Sequence, residues 1–123
     1  MNPKVRSIIN FLNANLHRKL SLDEMAGSIG FSRSHFCRLL KTETGRSPGQ
    51  YLQIIRMQKA AKLLATSLMS VKQVMLEVGY NNKGLFARHF KKAHGHTPSE
   101  YRTIYFDLNL INQGKAQQDR DVS

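Results

Sequence analysis

One paragraph of this chain is written twice, about fifty residues apart. From Phe36 to Tyr51 it reads FCRLLKTETGRSPGQY, and from Phe86 to Tyr101 it reads FARHFKKAHGHTPSEY. Phe36/Phe86, Arg38/Arg88, Lys41/Lys91, Gly45/Gly95, Pro48/Pro98 and Tyr51/Tyr101 recur at an offset of 50. Upstream the offset is 49, pairing Ser21 with Ser70, Ile29 with Val78, Gly30 with Gly79 and Phe31 with Tyr80, so one residue has been inserted near Asn81. A repeat of this period means two copies of one supersecondary unit. At about 50 residues each, such units bury too little surface to be secure alone, so each must lean on a shared element.

The signals inside the repeat are helical. Val5, Ile8, Ile9, Leu12 and Leu16 form an apolar stripe on a first helix. Four S/T-x-x-E/Q boxes (Ser21–Glu24, Ser47–Gln50, Ser70–Gln73 and Thr97–Glu100) announce later helix starts. Pro48 and Pro98 stand at first helical positions, where a missing N–H costs nothing, and Gly45 and Gly95 stand where a left-handed residue ends a helix. Strand alternation and Asn-Gly hairpin turns are absent from the sequence. The chain reads as all-α, with about seven helices near 4–16, 22–29, 33–44, 48–66, 71–78, 83–94 and 98–107.

The helix from Pro48 is apolar on two sides: Tyr51, Leu52, Ile55 and Leu63 on one, Ile54, Met57, Ala60, Ala61 and Leu64 on the other. It is the shared element. The expected organisation is an N-terminal helix-turn-helix subdomain (1–47), a central linker helix (48–66), a C-terminal helix-turn-helix subdomain (67–108) and a polar flexible tail (109–123).

A helix-turn-helix needs a small residue between its helices, a glycine at the turn and an apolar lock. Ala26, Gly30 and the set Met25, Ile29, Phe31, Phe36 and Leu39 meet these needs, and Ser32 caps the helix that follows. With Phe36 at the origin of that helix, Ser34, Lys41 and Arg38 project at roughly 160°, 140° and 200°, away from the core, with Cys37 at the edge. In the second copy Gly84, Lys91 and Arg88 take the same outward places and Ala87 that of Cys37. Small residues permit close approach to a groove, arginine matches guanine O6 and N7, and lysine suits phosphate.

Charge says the same. Nineteen Lys and Arg against eight Asp and Glu give +11 and a pI near 10.2. Seven basic residues fall between Arg33 and Lys62 against Glu43 alone, and five between Lys83 and Arg102 against Glu100 alone. Clustering inside the repeat points to a polyanion, nucleic acid first and an anionic membrane surface second. The lone Cys37 excludes an intrachain disulfide, and no run of 18 apolar residues or signal-peptide core is present, so a soluble, cytoplasmic protein is expected.

The stretches SLDEMAGSIGFS (21–32), RMQKAAKLL (56–64) and GYNNKGLFARHFKKAHGHTPSEYR (79–102) resemble the DNA-binding domain of AraC/XylS-type transcription regulators. The resemblance covers roughly residues 4–106. It implies two helix-turn-helix units on a long central helix, binding double-stranded DNA as a monomer in a bacterial nucleoid, with RNA polymerase as a further partner. It also implies base-reading roles for Ser34, Cys37, Arg38, Lys83, Gly84, Ala87 and Arg88. Phosphate contacts are expected from Ser32, Lys41, Arg46, Lys59, Asn82, Lys91 and Lys92. The chain departs from the family at Met75, where a small residue is usual, which suggests looser packing of the second unit. Gly84 offers no side chain to a base, and Cys37 is a weak hydrogen-bonder. Both a free-standing regulator and the C-terminal domain of a longer chain fit the resemblance.

Other chemistry finds little support. Cys37, His35, His89, His94 and His96 suit no tetrahedral metal site, no cofactor motif is present, and the acids read as caps or surface groups rather than catalysts. A small basic nuclease therefore lacks its constellation. A sequence-indifferent architectural DNA- or RNA-binding protein is the remaining alternative. RNA readers display aromatic platforms, whereas Phe31, Phe36, Phe86, Phe90 and Tyr101 lie on predicted core faces.

Overall fold

The computed structural model describes residues 2–106, and the predicted tail lies outside them. Six helices run in order: α1 Pro3–Asn15, α2 Leu22–Gly27, α3 Arg33–Thr44, α4 Pro48–Thr66, α5 Val71–Glu77 and α6 Lys83–His94. A seventh, α7, covers 98–106, and no strand occurs among the described residues. The fold is all-α.

Capping explains the starts. Ser21, Ser32 and Asn82 each accept the amide of the residue three along, at 3.1, 3.2 and 2.9 Å. The two glutamine boxes close reciprocally. Gln50 and Gln73 return their side-chain oxygens to the Ser47 and Ser70 amides at 3.1 and 2.8 Å. In the glutamate boxes the Ser21 and Thr97 hydroxyls also donate to the carboxylates of Glu24 and Glu100, at 3.4 and 2.8 Å. Four glycines with positive φ end helices: Gly30 (72°), Gly45 (74°), Gly79 (88°) and Gly95 (81°).

The helix α2 stops earlier than the periodicity suggests. Ile29 and Gly30 turn to tighter bonds with Ala26 and Gly27 (3.3 and 3.1 Å), and the Phe31 amide reaches back to the Ala26 carbonyl at 3.0 Å. The same backward bond recurs in the second copy, Tyr80 to Met75 at 3.0 Å. Met75 thus takes the backbone role of Ala26. It is buried (6% exposed), as is Ala26 (2%), so the larger side chain is taken into the second unit's interior.

By its contacts the described chain forms two compact units, the first comprising residues 2–56 and Glu77–Gly79 and the second Met57–Leu76 and residues 80–106. In the first, Ile8, Leu12 and Leu16 from α1 and the following turn cluster with Met25, Ala26, Phe36, Leu40, Leu52 and Ile55. Each large side chain fully buried there contributes about 1.5–3 kcal/mol. Arg56 is structural here: its Nη2 donates to the Arg18 carbonyl at 3.2 Å, beyond the end of α1.

In the second unit Met57, Ala60, Ala61 and Leu64 of α4 are buried along with Val74, Phe86 and Phe90. Rings run in contact from Tyr80 to Phe86, Phe90 and Tyr101, with centroids 5.4, 6.0 and 5.3 Å apart. Arg102 closes the end of α4, its Nε and Nη2 donating to the Leu64 and Ser67 carbonyls at 3.1 and 3.3 Å. His94 Nε2 lies 3.1 Å from the Met57 carbonyl, and because a carbonyl only accepts, that nitrogen carries the hydrogen.

Candidate nucleic-acid interface

The helices α3 and α6 are matched devices. Both begin at a side-chain cap, both end in a left-handed glycine, and both bury two rungs, Phe36 and Leu40 in one and Phe86 and Phe90 in the other. Fixing those rungs fixes the opposite face. Ser34, Arg38 and Lys41 are exposed on α3, and Lys83, Gly84, Arg88, Lys91 and Lys92 on α6. The edge residues Cys37 and Ala87 are half-buried, Cys37 lying against the first unit's core. Ser32, Asn82 and Arg46 are exposed beside the helix ends.

Two lysines of the expected set are already engaged. Lys41 Nζ donates to the Gly45 carbonyl at 3.1 Å, folding along the C-terminus of α3, where a cation is favoured. Lys59 is half-buried on α4 and interacts within the protein. The angular projection missed His35 and Thr42. These residues, with Ser32, Arg38 and Leu39, line one open groove along α3, and the His35 ring lies flat on Phe31, centroids 4.0 Å apart. Their positions, roughly 40–60° beyond Arg38 on the helix wheel, held that signal. In α6 the slot of Leu39 is filled by His89, half-buried, with Nδ1 2.6 Å from the Tyr80 hydroxyl.

The acids leave this face positive. Asp23 pairs with Arg33 at 3.3 Å. Hydrogen bonding from Arg18 holds the Glu24 carboxyl below its ordinary range, and the Thr97 hydroxyl does the same for Glu100. Among the described residues no ion pair involves Arg38, Lys83, Arg88 or Lys92. The described residues also contain no group of three or more His, Cys, Asp or Glu able to hold a metal ion. No helix among them is long and apolar enough to cross a membrane.

Gly84 permits a direct test of whether its missing side chain serves the fold. A Cβ there would meet nothing nearer than Asn82 Oδ1 at 3.5 Å, an ordinary contact. Gly84→Ala should therefore stabilise α6 by about 0.5–1 kcal/mol and raise the melting temperature by several degrees. Calorimetry of the two proteins checks this, and a lower melting temperature would show that Gly84 is needed for the fold.

Comparison with known proteins gives these helices a setting. Residues 16–104 match a family model described as a helix-turn-helix domain. The chain is 32% identical over 109 residues to the lactose operon transcription activator of Staphylococcus xylosus, covering 89% of this chain and 39% of that protein. Similar folds include a transcriptional regulator with an AraC-type DNA-binding domain from Chromobacterium violaceum. Its TM-score is 0.77 at 30% identity, with 82% of this chain and 90% of that chain covered. The DNA-binding domain of AdpA in complex with a target DNA has a TM-score of 0.75 at 28% identity, covering 85% and 94%. The chain spans under two fifths of the length of the curated relatives it matches.

Proposed function

Because the chain belongs to the AraC-type helix-turn-helix family, we propose that it is a sequence-specific DNA-binding regulator of transcription that grips duplex DNA with α3 and α6. The observation that carries this is the paired outward face, Arg38 with Lys41 and Arg88 with Lys91, exposed at equivalent positions of two capped helices. Ser34, Arg38, Lys83 and Arg88 read bases, with Gly84 and the half-buried Cys37 and Ala87 allowing close approach. Ser32, Arg46, Asn82, Lys91 and Lys92 hold phosphates, as Lys41 and Lys59 do once their internal contacts give way. A relative named as an operon's transcription activator supports activation, and an activator's further partner in this reading is RNA polymerase.

Substitution at a selected binding site tests the base reading. Arg38→Ala and Arg88→Ala should each cost about 1–3 kcal/mol and relax preference at different base pairs. Equal weakening on selected and random duplexes would make both residues phosphate contacts, and the sequence-indifferent reading would then stand.

Tandem repetition in one polypeptide also favours one chain per site, reading two successive major-groove segments without two-fold symmetry. Dimeric helix-turn-helix proteins, by contrast, read palindromes. Sedimentation of the complex should give one chain on an asymmetric site of about 20 base pairs, two turns of about 10. A selected site with dyad symmetry and two chains bound would overturn the monomeric grip.

A further inference from the structure

The second copy carries a cleft whose rim charges differ from those of the first copy. A cleft of about 480 Å³ is lined by residues of α5, the turn after it, the start of α6 and Ser99 of α7, with Lys72, Asn81, Lys83 and Ser99 exposed and Met75 and Phe86 buried. In the first copy the counterparts of Lys72 and Lys83, at offsets of 49 and 50, are Asp23 and Arg33, and those two form an ion pair at 3.3 Å. Two ammonium groups now stand where an acid and a base attract each other. Among the described residues neither lysine has an acidic partner. Like charges beside one cleft repel each other and lower their mutual cost by sharing an anion.

The other departures of the second copy converge on the same place. Met75 replaces Ala26 and lines the cleft with Val71 and Phe86, as does the exposed Asn81, near which the repeat gains its extra residue. An apolar wall with a few convergent polar groups is the usual make-up of a small-molecule site, and the volume falls within the usual range of about 300–1,000 Å³. We infer that this cleft binds an amphipathic organic anion, its charged group held between Lys72 and Lys83 and its apolar body against Val71, Met75 and Phe86. The inference stands apart from the reading of DNA, although Lys83 is common to both. An anion seated here occupies an ammonium group that DNA would otherwise use.

Octanoate and acetate, sharing a carboxylate but not a tail, are the probes. In amide NMR titrations of the full chain without DNA, octanoate should shift Val71, Met75, Asn81, Lys83 and Phe86, with acetate at least tenfold weaker. Lys72→Asp, which rebuilds the first copy's acid–base pair across the cleft, should weaken octanoate at least tenfold while the rest of the spectrum stays unchanged. Met75→Ala should weaken octanoate and leave the acetate response alone. Shifts that are equal for the two probes, or an affinity unchanged in Lys72→Asp, would overturn the inference. If octanoate does not bind while Lys72→Asp weakens a DNA duplex, the lysines are phosphate contacts only. The inference then falls and the DNA-binding reading remains.

Discussion

Gly79→Ala is expected to destabilise the protein by about 3 kcal/mol or more, whereas Gly30→Ala, at the equivalent turn, should cost only about 1–2 kcal/mol. Both glycines hold left-handed backbone, φ 88° and 72°, and both precede a residue whose amide bonds back to the end of the helix before it. The backbone penalty for a side chain is therefore shared. Surroundings set them apart. A Cβ on Gly30 would meet nothing within 4 Å, while one on Gly79 would overlap the Leu16 carbonyl oxygen and come within 3.1 Å of the Arg56 guanidinium. Leu16 is fully buried, and Arg56 is held by the Arg18 carbonyl, so neither can yield cheaply. At 4–8 °C per kcal/mol for a domain this small, Gly79→Ala should lose about 12 °C or more in melting temperature and Gly30→Ala about 4–16 °C. Matching losses in one calorimetric series would show that the Gly79 neighbourhood relaxes freely.

That contrast also marks what was legible in the sequence. Turn glycines, caps and the outward arginines depend on residues within one or two turns, and the duplication displayed them twice. The helix boundaries that lie within the described residues consequently fell within a residue or two, the two-residue difference being at the end of α2, where tight bonds at Ile29 and Gly30 replace the last helical ones. Features joining distant parts of the chain left no local trace. The run of basic residues from Arg33 to Lys62 gave no hint that Arg56 serves the Arg18 carbonyl 38 residues away. Arg102 closing α4 and His94 on the Met57 carbonyl were equally hidden. Cys37 projected to the edge of the exposed face yet lies against the core, because the edge of a helix face is decided by its neighbours rather than by its angle. Glu43, which 100° per residue places on the same side of α3 as Phe36, is exposed near the end of the helix, with Asn2 Nδ2 3.5 Å from its carboxylate.

Salt should act more strongly on binding than any single substitution. If about 6–10 phosphates are neutralised, counterion release gives log K against log[salt] a slope of about −5 to −9, a loss of about 10³–10⁵ in affinity between 50 and 200 mM. In the proposed grip the cations are Lys41, Arg46, Lys59, Lys91 and Lys92 with Arg38, Lys83 and Arg88 beside them, while Ser32, Asn82 and the capped N-termini of α3 and α6 add uncharged hydrogen bonds to the same anions. Three of the acids are already engaged: Asp23 and Glu24 are paired with Arg33 and Arg18, and Glu100 faces its own cap and His96. Replacing both Lys91 and Lys92 by alanine should make the slope shallower by about 2 and weaken every duplex alike. Arg38→Ala should instead change the ranking of duplexes, with its main loss at the selected site. Fluorescence anisotropy across a salt series separates the two behaviours. A wild-type slope shallower than about −3 would mean that the basic faces of α3 and α6 do not meet the phosphate backbone. The two-helix grip would then have to be abandoned, even for a protein that binds DNA.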